Sequence, residues 1–164
     1  MGISLSQEGR DQAERVARRL AREQLTLVQS SPLERARETA ERAGFGSRAE
    51  VDDDLREFDY GEYEGLTSDE IRVERPGWSV WRDGSPGGEE PDDVGVRADR
   101  ALARALEAGG DVALFAHGHF LRVAGARWIE LPAAYGGHLA LSTSAVCLLG
   151  YERERRAIWG WNLR

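Results

Sequence analysis

Two histidines one residue apart, His117 and His119, stand where an apolar run ends and a helical pattern begins. The run Val112 to Ala116 follows a Gly109-Gly110-Asp111 turn, and so short an apolar stretch behind a turn reads as a buried strand. Past Gly118, the residues Phe120, Leu121, Ala124 and Trp128 fall on one helical face. A strand that passes straight into a helix puts free N–H groups and a positive dipole end at the carboxyl edge of a sheet. Open α/β sheets bind ligands at that edge, and such a helix end suits an anion. His117 stands at that point. The plainer account makes both histidines turn residues at a strand end.

A second junction has the same character. Leu25 to Gln29 reads as a strand and is followed by Ser31-Pro32-Leu33-Glu34-Arg35. Ser31 as N-cap, Pro32 at the first helical position and Glu34 three residues after Ser31 predict a capping box. Arg35 then sits in the first turn, against the preference of the helix dipole, which favours a ligand as its reason for being there. Arg37 reads as a solvated helix arginine. All 22 basic residues are arginine, so an anion site in this chain must use guanidinium, which grips phosphate or carboxylate in bidentate fashion. Between residues 51 and 66 lie many carboxylates, several aromatics and the glycines 61 and 65, with no helical stripe; this is expected to be a loop at the carboxyl edge of the sheet. One of its acids could protonate a leaving oxygen in phosphate ester cleavage, and composition does not choose which. The Trp- and Gly-rich stretch from Trp78 to Glu89 reads as a lid or binding wall, with Arg82 in its midst, whereas Trp78 and Trp81 themselves read rather as cover for the core edge. His117 and His119 lack a third nearby ligand, so the pair is a weak metal signal.

The elements that position these groups are regular. Ser6 caps a helix with the stripe Ala13, Val16, Ala17 and Leu20; Thr67 caps a short helix over 68–73; Pro91 opens a long helix with Val94, Ala98, Ala101, Leu102 and Ala105 inward. Thr143 to Gly150 and Ala157 to Trp161 are predicted to form a hairpin at the sheet edge. The length fits one domain. A net charge of −7 argues against a nucleic-acid surface, and no apolar run approaches a membrane span. The lone Cys147 excludes an intrachain disulfide and suits a reducing cytoplasm.

Three stretches, Ser30 to Ala40, Leu55 to Thr67 and Phe115 to His119, closely resemble the histidine phosphatase (phosphoglycerate mutase-like) superfamily, in its order and over essentially the whole chain. Trp81-Arg82-Asp83-Gly84 and the block Phe115 to Arg122 look most like its small phosphatase branch, with sedoheptulose-bisphosphatase-like and acid phosphatase-like members. The resemblance implies a three-layer α/β/α sandwich with a mostly parallel sheet. It implies phosphomonoester hydrolysis through a phosphohistidine, without cofactor or metal, on a small phosphorylated substrate or inorganic phosphate. Arg35 is then the phosphate clamp, Glu57 the acid/base and His117 the second histidine, with Gly118 and His119 beside it; Tyr60 and Arg82 match substrate-contacting positions.

Family members begin with a central strand ending in Arg-His-Gly, whose histidine is the nucleophile. No Arg-His-Gly occurs here, and Met1 falls where the family is already entering its first helix. The expectation is a single domain over 1–164, N-terminally incomplete. On its own it is expected to be poorly stable, to aggregate or dimerise, and to lack normal turnover. Two alternatives stand beside hydrolysis: a non-catalytic phosphate or sugar-phosphate binder, and phosphoglycerate mutase activity.

Overall fold

Strand β1 (Leu25–Ser30) lies between two parallel neighbours, β2 (Ala49–Val51) and β3 (Asp111–Phe115), in a sheet of order β2-β1-β3. The computed structural model describes residues 4–164. Helix α1 (Gln7–Leu20) precedes β1, the β1-to-β2 crossover carries α2 (Glu34–Ala40), the β2-to-β3 crossover carries α3 (Ser68–Glu74), α4 (Val80–Asp83) and α5 (Pro91–Glu107), and α6 (Gly118–Trp128) follows β3. Strand side chains alternate between the two faces, as the pleat requires. Ala113 and Phe115 pack with Val16, Val28, Ala43 and Phe45, whereas Leu114 and Ala116 pack against Phe58, Val94, Ala98, Phe120 and Val123. The sheet thus separates two apolar clusters, each closed by helices.

Several local signals act as the sequence predicts. Ser6 Oγ accepts from Gly9 N–H, Thr67 and Glu70 form a reciprocal capping box, and Pro91 stands in the first turn of α5. The start of α2 differs. Helix α2 begins at Glu34, its N-cap Leu33 makes no side-chain cap bond, and the predicted capping box does not form. Ser31 Oγ instead accepts from Leu33 N–H at 3.2 Å and pairs with His117, so a tertiary partner outweighs the local cap. Arg35 stays in the first turn. Helix α2 runs into one π-helical turn (Glu41–Phe45), which is kinked at Gly44, with φ 91°. Two acids of the loop are paired rather than solvated: Asp52 and Asp54 pair with Arg104, and Asp54 with Arg100, tying the loop to α5.

The carboxyl-terminal strands β4 (Val146–Glu152) and β5 (Arg155–Leu163) form an antiparallel hairpin, as predicted, but a separate two-stranded sheet rather than the edge of the first. Val146 packs on the same cluster as Ala113 and Phe115, yet among the described residues no backbone hydrogen bond joins the two sheets. Each of β3 and β4 therefore has a ladder on one side only. Val112, Ala113 and Leu114, apolar residues of a strand flanked by helices, remain only half-buried.

Candidate functional site

The carboxyl ends of β1 and β3 are joined by Ser31. Its N–H donates to Phe115 O at 2.8 Å, and its Oγ lies 2.7 Å from His117 Nε2. His117 occupies the N-cap of α6 with its side chain only 5% exposed. Burial, together with the Arg35 and Arg97 cations, pulls its imidazole down to about 4, so the ring is neutral near pH 7. Arg35 is half-buried, its charge reaches both His117 and Tyr60, and among the described residues its guanidinium has no hydrogen bond or ion pair. A neutral imidazole beside an uncommitted guanidinium at a helix N-terminus favours an anion.

Glu57 comes from the acidic loop and faces the same helix end. Its Oε1 accepts from Phe58 N–H at 2.9 Å and from Phe120 N–H at 3.0 Å, and its Oε2 accepts from His119 N–H at 3.3 Å. The carboxylate thus supplies the side-chain cap that α6 lacks from its own N-cap residue. Gly118 leaves room above it: a Cβ there would meet only Glu57 Oε2, at 4.0 Å. Replacing Glu57 with alanine orphans the N–H groups of His119 and Phe120 and is expected to destabilise the fold by about 1–3 kcal/mol. Glu57→Gln, which keeps one acceptor oxygen, should lose less. Urea midpoints of the two variants check this, and an Ala variant as stable as the parent contradicts the capping role.

Arg97 holds the loop that carries Glu57. Its guanidinium grips both oxygens of Glu89 at 2.7 and 2.8 Å and donates to the carbonyls of Asp54, Arg56 and Glu57. It also lies 5.3 Å from the Phe120 ring centroid. Beside Glu57, Tyr60 Oη pairs with His119 Nδ1, and Trp81 meets the His119 ring edge-on at 4.9 Å between centroids. Burial, then the charges of Glu57 and Glu64, push the Tyr60 phenol up. Burial pulls His119 down, with Arg122 acting in the same direction and Glu57 against it. Arg122 stacks 4.2 Å over Trp81 and donates to Gly136 O and Gly137 O.

Arg35, Glu57, Tyr60, His117, Gly118 and His119 therefore come together at one sheet edge. Arg82 does not join them: it is largely exposed, and its guanidinium bonds to Asp83 and to Gly77 O. Sequence reasoning did not assign Ser31, Arg97, Trp81 or Arg122 to the site. The arginine-for-every-cation composition hid Arg97 and Arg122, whose partners lie on other elements. Among the described residues no three His, Cys, Asp or Glu side chains gather closely enough to hold a metal ion, and no helix is long and apolar enough to cross a membrane.

The histidine phosphatase superfamily (branch 1) model matches residues 1–164, and the chain belongs to that superfamily. It is 41% identical over 160 residues to an acid phosphatase of Mycobacterium tuberculosis, covering 95% of this chain and 78% of that protein. It is 38% identical over 135 residues to sedoheptulose 1,7-bisphosphatase of Saccharomyces cerevisiae, covering 65% of this chain and 49% of that one. Among solved structures, that of the Mycobacterium tuberculosis open reading frame Rv3214 superposes with a TM-score of 0.93 at 39% identity, over 99% of this chain and 86% of that one. The three-layer architecture and the phosphatase-branch resemblance read from the sequence both agree with these relatives.

Proposed function

We propose that these residues form the phosphate pocket of a phosphomonoesterase that works through a phosphohistidine. The nucleophilic histidine in this reading comes from a strand seated between β3 and β4, outside residues 1–164, which together with them makes one domain. The observation that carries the reading is Arg35: a half-buried guanidinium without a partner among the described residues, whose charge reaches the neutral His117 at the N-cap of α6. The edges of β3 and β4 that carry no ladder among the described residues support the seat for the strand, since backbone groups left without partners there favour an inserted ladder. The lone Cys147 supports a cytoplasmic setting.

Chemistry follows from the placement. Arg35 and His117 hold phosphoryl oxygens; Ser31 Oγ already accepts from Leu33 N–H, so its own proton can go to His117 Nε2 and leave Nδ1–H for the substrate. The nucleophilic imidazole nitrogen forms a bond to phosphorus as the ester P–O bond breaks, and Glu57 gives its proton to the departing oxygen. In the second half, Glu57 takes a proton from water, the water oxygen bonds to phosphorus, and the N–P bond breaks to release phosphate. Positioning and fixed charge supply most of the acceleration.

Phosphate at 10 mM is expected to raise the melting temperature of the chain by about 3–5 °C, as a millimolar site requires. Arg35→Met should abolish that shift. A parent chain indifferent to phosphate contradicts the reading. A second reading, a phosphate binder without turnover, is favoured by the state of the three histidines: His117 and His119 are engaged with Ser31 and Tyr60, and His138 packs against Tyr135 in the 3-10 turn Ala133–His138. Single-turnover release of p-nitrophenol from the full-length protein separates the two.

A further inference from the structure

Next to His119 opens a cleft of about 300 Å³ that the phosphate chemistry does not use. Its wall is built from the rings of Tyr63, Trp78 and Trp81, with Leu66 at the rim. Tyr63 and Trp78 meet edge to face at 5.4 Å, and Trp78 Nε1 is tied to Gly84 O at 2.9 Å, so the wall is rigid. At the junction with the phosphate pocket stands the His119 ring, whose Nδ1 is engaged by Tyr60 and whose Nε2 has no partner among the described residues.

We propose that this cleft receives the leaving group of the ester, and that it selects an uncharged, ring-bearing alcohol over one carrying a second phosphate. The inference rests on the phosphatase reading and deepens it. A second phosphate would bring nearly two negative charges and requires cations to meet them. The cleft has one acidic and one basic lining residue, Glu64 and Arg72. Arg72 Nε is held by Trp78 O at 2.9 Å, and its Nη1 lies 3.7 Å from Asp69. The two other arginines of the segment are also engaged, Arg75 with the Tyr63 hydroxyl and Arg82 with Asp83. Burial first, and then the charges of Glu57 and Glu64 against those of Arg35 and Arg122, raise the Tyr60 phenol, so the two carboxylates bear on this end of the cleft. Aromatic walls, by contrast, gain from covering the apolar face of a ring, and a few directed polar groups set its orientation. Donation from the protonated Tyr60 phenol to His119 Nδ1 would place the proton of the neutral imidazole on Nε2, where it offers one uncharged donor to an oxygen of the leaving group.

Titration calorimetry with four probes tests this: inorganic phosphate, phenylphosphonate, fructose 6-phosphate and fructose 1,6-bisphosphate. Phenylphosphonate is expected to bind about 10-fold tighter than phosphate, and the bisphosphate no tighter than the monophosphate. Leu66→Asp, at a position 49% exposed and therefore safe for folding, should weaken phenylphosphonate about 10-fold more than it weakens phosphate. Equal affinity for phosphate and phenylphosphonate, or a bisphosphate preferred by about 10-fold, overturns the cleft assignment while leaving the phosphate pocket intact. Failure of phosphate itself to bind removes the phosphatase reading and this one with it.

Discussion

Extending the chain at its amino end with a strand that finishes in Arg-His-Gly should raise hydrolysis of p-nitrophenyl phosphate by about 10⁴-fold or more over the 164-residue chain, because nucleophile loss in covalent catalysis has effects of that order. The extended protein should also melt at a higher temperature. Both effects have one structural origin. Among the described residues β3 pairs only with β1, and β4 only with β5, so an inserted strand would gain two ladders at once and would cover the half-buried side chains Val112, Ala113 and Leu114. Its carboxyl end would arrive beside His117, which follows the neighbouring β3, with Arg35 beyond it in the helix that follows β1. Changing the added histidine to alanine separates the contributions: turnover should fall to the background while the thermal gain remains. Turnover by the 164-residue chain as fast as that of the extended protein would show that the nucleophile lies elsewhere.

Stability should fall between pH 6.5 and pH 5, a window set by His117. The folded imidazole sits at about 4, below the ordinary value of 6.5 it recovers on unfolding. Across that interval the unfolded chain binds more protons than the folded one, so stability rises with pH and is lost as pH falls through it. Over the whole span down to the folded value near 4 the difference corresponds to roughly 3 kcal/mol, of which roughly 2 kcal/mol is reached by pH 5. His119 is displaced in the same direction by burial, so His117→Gln should flatten the profile without making it level. The lowered carboxyls of Glu38, Asp54 and Asp83 act at more acid pH and do not blur the window. Urea midpoints at half-unit pH steps measure the slope; identical slopes for parent and His117→Gln would mean that His117 is not buried as described.

Both strand-to-helix junctions were legible because their signals are local: an apolar run, a turn residue and a helical stripe within a dozen positions. The same holds for the caps at Ser6, Thr67 and Pro91. Strand β2 was not legible, since three residues, two of them exposed, carry no period. The ion-pair set of Asp52 and Asp54 with Arg100 and Arg104 joins positions about 50 residues apart, and nothing in the spacing of the acids marks which are solvated. Ser31 illustrates the limit most clearly. Its neighbours Pro32 and Glu34 describe a helix cap, yet its hydroxyl pairs with a histidine 86 positions along the chain. Glu57 was placed by family resemblance; that it also caps α6 is a property of the packed structure alone.

The segment between residues 61 and 88 leaves and rejoins the domain through a narrow waist. Glu89 N–H donates to Asp59 O, Asp59 N–H donates to the Glu89 carboxylate, and Glu62 N–H donates to Pro86 O. Gly61 and Gly88 make the approach feasible: Gly61 has φ 50°, and a Cβ on either would collide with the backbone of the other side. A segment whose two ends are pinned together can be lengthened, shortened or rewritten at little entropic expense to the rest of the domain. Glu57 and His117 lie outside the waist, and Trp78, Trp81 and Leu66 lie within it. On the proposed cleft assignment, substrate preference would be a graftable trait: the wall of the cleft could drift, or be exchanged between homologues, while the proposed phosphoryl-transfer groups keep their places.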